Sequence, residues 1–303
     1  MTIQPVETEA VRPVRRSRRH ERRRNPRALA TTLIWICAAY FVIPLIWLVF
    51  ASTKTNTGLF TSFGFWFADD FALWDNLVAV FSYKEGLFGQ WMWNSAWYST
   101  VAAVGAALIA TMAGYAFAKY RFRGERLLFA IALGAIMIPA TALAVPQFVL
   151  ASAYGMTDSP LAVILPALAS PIGVFIMRVY AQDAIPDALI EAARVDGAGE
   201  LRIFAQISLR LLGPGLVTVL LFSLVGAWNN YLLPLLMIRS EELYPVTVGL
   251  AQLNSQLAGG SGADALFSLI LTGSLLSVIP LLLAFAYLQR YWQSGLTTGS
   301  VKA

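Results

Sequence analysis

The sequence predicts an all-α, polytopic membrane protein with six transmembrane helices and a helix–turn–helix on its cytoplasmic side. Three observations carry that prediction. The 303 residues have a mean hydropathy of +0.64 and only 13% are charged, far from the balance of a soluble chain. Six apolar runs, near 29–51, 93–118, 127–150, 161–181, 211–237 and 265–289, reach the roughly 20 residues that cross a bilayer core at about 1.5 Å per residue. The basic residues fall on alternate sides of those runs, as the positive-inside rule requires.

That last point sets the orientation. The segment "RPVRRSRRHERRRNPR" places nine arginines before the first run. With that end in the cytoplasm, the inner side also receives Lys119, Arg121, Arg123, Arg126, Arg178, Arg194, Arg202, Arg210, Arg290 and Lys302, and the outer side only Lys54, Lys84 and Arg239. Both termini are therefore expected inside. The tail is read as a topology signal that also attracts anionic lipid headgroups, not as a nucleic-acid arm. The first run is too long for a removable signal peptide and lacks a small-residue cleavage site.

Composition excludes several chemistries. One cysteine (Cys37) and one histidine (His20) leave no imidazole or thiolate pair for a metal site and no intrachain disulfide. No glycine precedes Lys54, Lys84, Lys119 or Lys302, so there is no phosphate-cradling G-K-[ST] loop. No cofactor is expected on this chain, and it is not expected to be an enzyme. The runs also lack a central ionisable residue, which a proton- or ion-coupled carrier ordinarily needs. Energy for transport must then come from another subunit.

Along the chain, residues 1–28 form the basic tail, and 29–92 the first span with a long outer loop. That loop is rich in Phe60, Phe63, Phe65, Trp66, Phe67, Phe71 and Trp74, rings suited to the headgroup level. Residues 93–290 hold the remaining five spans and 291–303 a short inner tail. Pro139 and Pro146 are expected to bend the third span, and Pro160 opens the fourth near its first turn.

The most polar ordered stretch, "IPDALIEAARVDGAGELRIFAQI", lies within 185–208. Pro186 fits a first helical turn, and Asp187 and Glu191 favour the positive end of that helix. Glu191 and Arg194 stand three apart on one face. Gly197 suits the left-handed residue that ends a helix. Ala192, Ala193 and Ala198 allow close approach of another surface, while Leu201, Phe204 and Ile207 repeat at helical spacing on a second helix. Spacing alone leaves two readings open: a docking knob, or an interfacial helix pair lying on lipid.

The residues Glu191-Ala192-Ala193, Asp196-Gly197-Ala198, Ile207 and Leu209 resemble the signature loop of ABC-transporter permease subunits. The phrases "YGMTDSPLAVILP", "AWNNYLLPL" and "YPVTVGL" look like the carbohydrate-uptake branch, similar to the maltose-type permease with six spans. The resemblance covers roughly 93–303. It implies a second homologous permease subunit, two ATP-binding cassette subunits that use the ATP, and an extracellular solute-binding protein. It also implies that Glu191, Ala192, Ala193, Asp196, Gly197, Ala198, Leu201 and Phe204 dock on the ATPase. Where the family commonly has proline after isoleucine-x-leucine, this chain has Arg210, which predicts a less sharply turned approach to the fifth span.

For the translocation path, Asn94, Gln147, Trp228, Asn229 and Asn230 combine amides with an aromatic ring, the chemistry that binds sugars. The same amides serve equally to bond helix to helix, and that reading is favoured. The function expected is a permease subunit for a sugar or oligosaccharide. Alternatives are a polyol or glycerol-phosphate-like cargo, or a self-sufficient carrier or membrane enzyme.

Overall fold

The computed structural model describes residues 26–258 and 263–298. It divides into two compact units, Met1–Leu45 and Ile46–Ala303. The described part of the first belongs to the helix Pro26–Ser52. In the second, every regular element is a helix; the extended pairing found among the described residues is an isolated bridge between Lys54 and Phe71. Among the described residues, four helices are long and apolar enough to cross a membrane, or up to six if two sharply bent pairs each count as one span.

Residues 53–72 fold around a buried ammonium group. Lys54 Nζ donates to Ser62 Oγ (2.8 Å) and to the carbonyl of Phe63 (2.7 Å), so the charge is solvated by neutral oxygens rather than by water. Beyond the helix Leu73–Ser82, Lys84, Glu85 and Gly86 all take positive φ. This turn redirects the chain into the long helix Leu87–Lys119, which begins before the apolar run at 93 because Phe88 and Trp91 are themselves core residues.

The long helix is the centre of the second unit. Ala102, Ala103, Ala106, Ala107, Ala110 and Gly114 line its buried side at three- and four-residue spacing. Its main neighbours are the helices Pro171–Ala184 and Gly213–Trp228. Lipid gives helices little hydrophobic reason to associate, so close packing across small residues does that work. Gly114 shows how close the approach is. A Cβ there would stand 2.6 Å from the Met177 Cβ and 2.7 Å from the Arg178 nitrogen.

Proline and asparagine cut the third, fourth and fifth apolar runs. Glu125–Ile136 and Ala140–Ala153 meet at 106°. Pro139 occupies the N-cap of the second piece, where its missing N–H costs nothing, and it forces Ile138 away from the helical region. Pro146, expected to bend the span as well, stays inside the second piece. The fourth run breaks at Leu168–Ser170 into Pro160–Ala167 and Pro171–Ala184.

The fifth run is not continuous to 237. Gly213–Trp228 ends at Asn229, whose side-chain amide donates to the Val225 carbonyl and competes with the helical ladder. A short helix, Leu232–Met237, follows. Pro234 has no N–H for the Asn230 carbonyl four residues back, and that carbonyl accepts the Thr247 hydroxyl instead (2.9 Å). The helices Val246–Ala258 and Ala263–Thr298 complete the described chain.

Candidate functional site

The helix–turn–helix of 186–211 is built on one core. Pro186 is the N-cap of Asp187–Val195 rather than part of its first turn. The helix closes with two bonds, Gly197 N to the Arg194 carbonyl and Ala198 N to the Ala193 carbonyl, both 3.0 Å. Gly197 holds φ +80 at that turn, the left-handed position where glycine alone is unstrained. The second helix starts at Glu200, loosens into a π-helical stretch over Ile203–Ser208 and resumes at Leu209–Leu211. It meets Gly213–Trp228 at 77°. The turn is therefore sharp although Arg210 replaces proline; it is made at Leu212, just ahead of Pro214.

The eight docking candidates divide by face. Glu191, Ala192, Asp196, Gly197 and Leu201 are exposed. Ala193 is buried, and Ala198 and Phe204 pack on the same core as Ile190 and Ile203, with the Phe204 ring 5.1 Å from that of Tyr115. Sequence reading missed Val195, which at 88% exposed stands beside Leu201 at 86% as an uncovered apolar side chain. Its signal was an aliphatic residue placed directly before the D-G break.

Arg194 does not pair with Glu191. Its Nε donates to Glu200 Oε1 (2.7 Å) and its Nη2 to Oε2 (3.3 Å), tying the first helix to the second across the glycine turn. Glu200 Oε2 also accepts the Tyr120 hydroxyl at 2.6 Å. Lys119, only 6% exposed, donates to the Ile185 carbonyl (2.6 Å) and to Asp187 Oδ1 (2.7 Å). The Lys119 ammonium holds the Asp187 carboxyl below its usual range. None of Lys119, Tyr120 and Glu200 stood out in the sequence, because their partners lie up to 80 residues away.

The path candidates separate too. Gln147 and Asn230 line one cavity of about 470 Å³, together with Thr141 and a wall of alanine, leucine, isoleucine and proline side chains; no charged residue lines it. Asn94 is elsewhere. It is buried, and its amide donates to the carbonyls of Glu242 (2.7 Å) and Tyr244 (3.1 Å). It belongs to a row on one face of the long helix: Trp91 Nε1 donates to the Glu241 carbonyl, Tyr98 to the Leu243 carbonyl, and Ser95 Oγ accepts Val246 N. Trp228 is buried in the core with Phe88, Trp91 and Val246, and Asn229 bonds within its own helix.

Beside that row, Asp158 locks the neighbouring turn. At φ +56 it accepts the backbone N–H groups of Arg239 and Ser240 (2.9 Å each) and the Ser240 hydroxyl (2.6 Å). The Ser240 hydroxyl and these N–H groups hold its carboxyl below the usual range.

Comparison with known proteins fits this arrangement. The chain is 36% identical over 262 residues to the arabinooligosaccharides transport system permease protein AraQ of Halalkalibacterium halodurans, covering 86% of this chain and 91% of that one. It is 31% identical to the maltodextrin transport system permease protein MdxG of Bacillus subtilis, over 89% of this chain and 95% of that one. It is 29% identical to the lactose transport system permease protein LacG of Rhizobium radiobacter, over 93% and 98%. Its fold resembles a chain from the crystal structure of a bacterial ABC transporter involved in the import of the acidic polysaccharide alginate, with a TM-score of 0.75 and 23% identity, covering 88% of this chain and 95% of that one. Residues 110–297 match the family described as binding-protein-dependent transport system inner membrane component. On this evidence the chain belongs to the family of inner-membrane permease components of binding-protein-dependent transport systems.

Proposed function

We propose that this chain is one permease subunit of an ATP-driven importer for a neutral sugar or oligosaccharide, and that it makes and breaks no covalent bond. Its partners are a second homologous permease, two cytoplasmic ATP-binding cassette subunits and an extracellular solute-binding protein. Both termini and the 186–211 helix pair lie on the cytoplasmic side, as the distribution of arginine and lysine supports. The ATPase meets Glu191, Ala192, Val195, Asp196, Gly197 and Leu201. Closure of the ATPase dimer on ATP moves this knob, and the spans switch from inward- to outward-facing.

The cavity at Thr141, Gln147 and Asn230 supports the cargo. A hydroxyl and two amides in an apolar wall suit neutral hydroxyl groups. A phosphate-bearing cargo needs a cation in its path, and the cavity lining has none. The relatives named for arabinooligosaccharides, maltodextrin and lactose point the same way.

The single observation that carries the coupling role is the pair of exposed aliphatics, Val195 and Leu201, flanking a rigid glycine turn on a knob tied to the long helix. The test is reconstitution with candidate partners in liposomes. ATP hydrolysis should rise when loaded binding protein is added, and sugar uptake should need ATP. Uptake by the chain alone, without ATP, overturns the reading. For orientation, an impermeant thiol reagent applied to intact cells should label single cysteines placed in 52–92 and not in 185–207.

A further inference from the structure

Three bonds leave the end of the long helix, from two consecutive residues, and reach different halves of the helix–turn–helix. Lys119 holds the first half, through Asp187 and the carbonyl of Ile185. Tyr120 holds the second half, through Glu200. Arg194 then joins the halves to each other through the same Glu200 carboxylate. The result is a closed ring: 119 to 187, along the first helix to 194, across to 200, and back to 120. Tyr115 also packs at a tilt against Phe204 (5.1 Å) and meets Tyr120 edge-on (5.6 Å).

We infer that Lys119 and Tyr120 are positioning residues that make the docking pair and the long helix move as one body. A knob attached only by its chain ends could tilt on Ile185 and Leu212 and absorb a displacement locally. The ring removes that freedom, because tilting either helix breaks a bond to 119 or 120. The same long helix carries Trp91, Asn94, Ser95 and Tyr98, which grip the backbone of 241–246 at its far end. A push on the knob therefore reaches 241–246 through one continuous helix. Lys119 has a nearly buried side chain and Tyr120 is half-buried, so they act through the knob and not on the ATPase.

This inference rests on the proposed importer reading, and the test separates the two without knowing the cargo. The complete complex is prepared with Cys37→Ala and a reporter, Thr141→Cys, in the wall of the cavity. ATP and orthovanadate trap the closed ATPase, and an impermeant maleimide is applied from the outer side. With the ring intact, trapping should raise labelling at least about fivefold. Tyr120→Phe removes one oxygen and Lys119→Gln removes the charge; each should cut that rise by more than half, and together they should remove it, with trapped nucleotide and ATPase association unchanged. If Lys119→Gln does not insert, Tyr120→Phe decides alone. A full rise in labelling in the variants overturns the inference. So does a parallel loss of trapped nucleotide, which would mean that the ring only shapes the docking surface. No rise in the intact complex would sink the importer reading, and this inference with it.

Discussion

At its first turns the long helix holds the 241–246 segment with Trp91, Asn94, Ser95 and Tyr98; at its last it holds the docking pair with Lys119 and, one residue on, Tyr120. The first attachment uses neutral side chains, all buried, and takes the partner's backbone as its acceptor or donor. The second uses charges, and several of its members face water: Arg194 and Glu200 are about half exposed, and Asp187 more so. Buried neutral bonds are indifferent to salt and costly to leave unmade. Exposed ion pairs are screened and readily exchanged. The molecule thus has one set of bonds that ionic strength leaves alone and one that it can loosen.

The largest effect is expected at the knob itself. Gly197→Val forces a β-branched side chain into the left-handed region at a cost of about 1–2 kcal/mol, although nothing lies within 4 Å of the new Cβ. The damage is conformational and falls on the docking turn. Glu191→Lys reverses an exposed charge without touching the core. Both variants should insert normally, bind the ATPase weakly and lose hydrolysis stimulated by loaded binding protein. Full stimulation in both would place the docking surface elsewhere.

The second test moves to the other attachment. Asn94→Leu leaves two partly buried carbonyls, those of Glu242 and Tyr244, without their amide donor, at about 1–3 kcal/mol in all. Thermal unfolding in detergent should fall by several degrees, by the same amount at low and high salt. A drop that salt alters would mean that this end is not the neutral fastening described here.

This pair of residues also shows what the sequence could and could not yield. The glycine turn was legible because Gly197 satisfies a local backbone demand, and the bend at Pro139 because proline acts on its own neighbours. Asn94 was read as a path candidate with bonding between segments the favoured alternative, since an amide near a span declares its polarity but not its partner. Its acceptors lie about 150 residues further on. The fifth span was drawn too long for a related reason: leucines on either side of Asn229–Asn230 read as one apolar run, whereas the break depends on where the freed carbonyl of Asn230 finds Thr247. Phe204 and Ala193 were assigned outward because spacing gives a face and not its direction. The ring at Lys119, Tyr120 and Glu200 was invisible, being assembled from three separate stretches.

A third test compares the two attachments directly. Raising ionic strength from 0.1 M to 1 M shortens the Debye length from about 10 Å to about 3 Å. Hydrogen–deuterium exchange should quicken roughly two- to threefold at 187–202, while 243–246, beyond the half-exposed Lys84–Glu241 pair, changes less. Equal response at both ends would remove the distinction between them.

The smallest effect is expected at Asp158, a carboxylate beside the neutral row, which also carries the half-exposed Lys84–Glu241 pair (2.6 Å), and there pH is the lever. Its carboxyl is held below the usual range by the Ser240 hydroxyl and by the N–H groups of Ser240 and Arg239. A carboxyl whose folded value is depressed contributes stability above its unfolded value, about 3.9, and loses it as pH falls through the folded value. The latch should therefore be constant from pH 8 to 5 and weaken only below about pH 4. Asp158→Asn isolates this contribution. Asparagine tolerates the positive φ, its carbonyl can still accept the two backbone N–H groups, and the Ser240 hydroxyl can rotate to accept from the new amide. What is lost is the charge on the acceptor. At pH 7 the variant should unfold about 2 °C lower than the parent, and the difference should narrow below pH 4 and close once the pH has passed the depressed folded value, where the parent carboxylate is also neutral. Other carboxylates titrate in both proteins and cancel in the comparison. A gap that stays constant from pH 7 to pH 3 would show that Asp158 acts by shape alone.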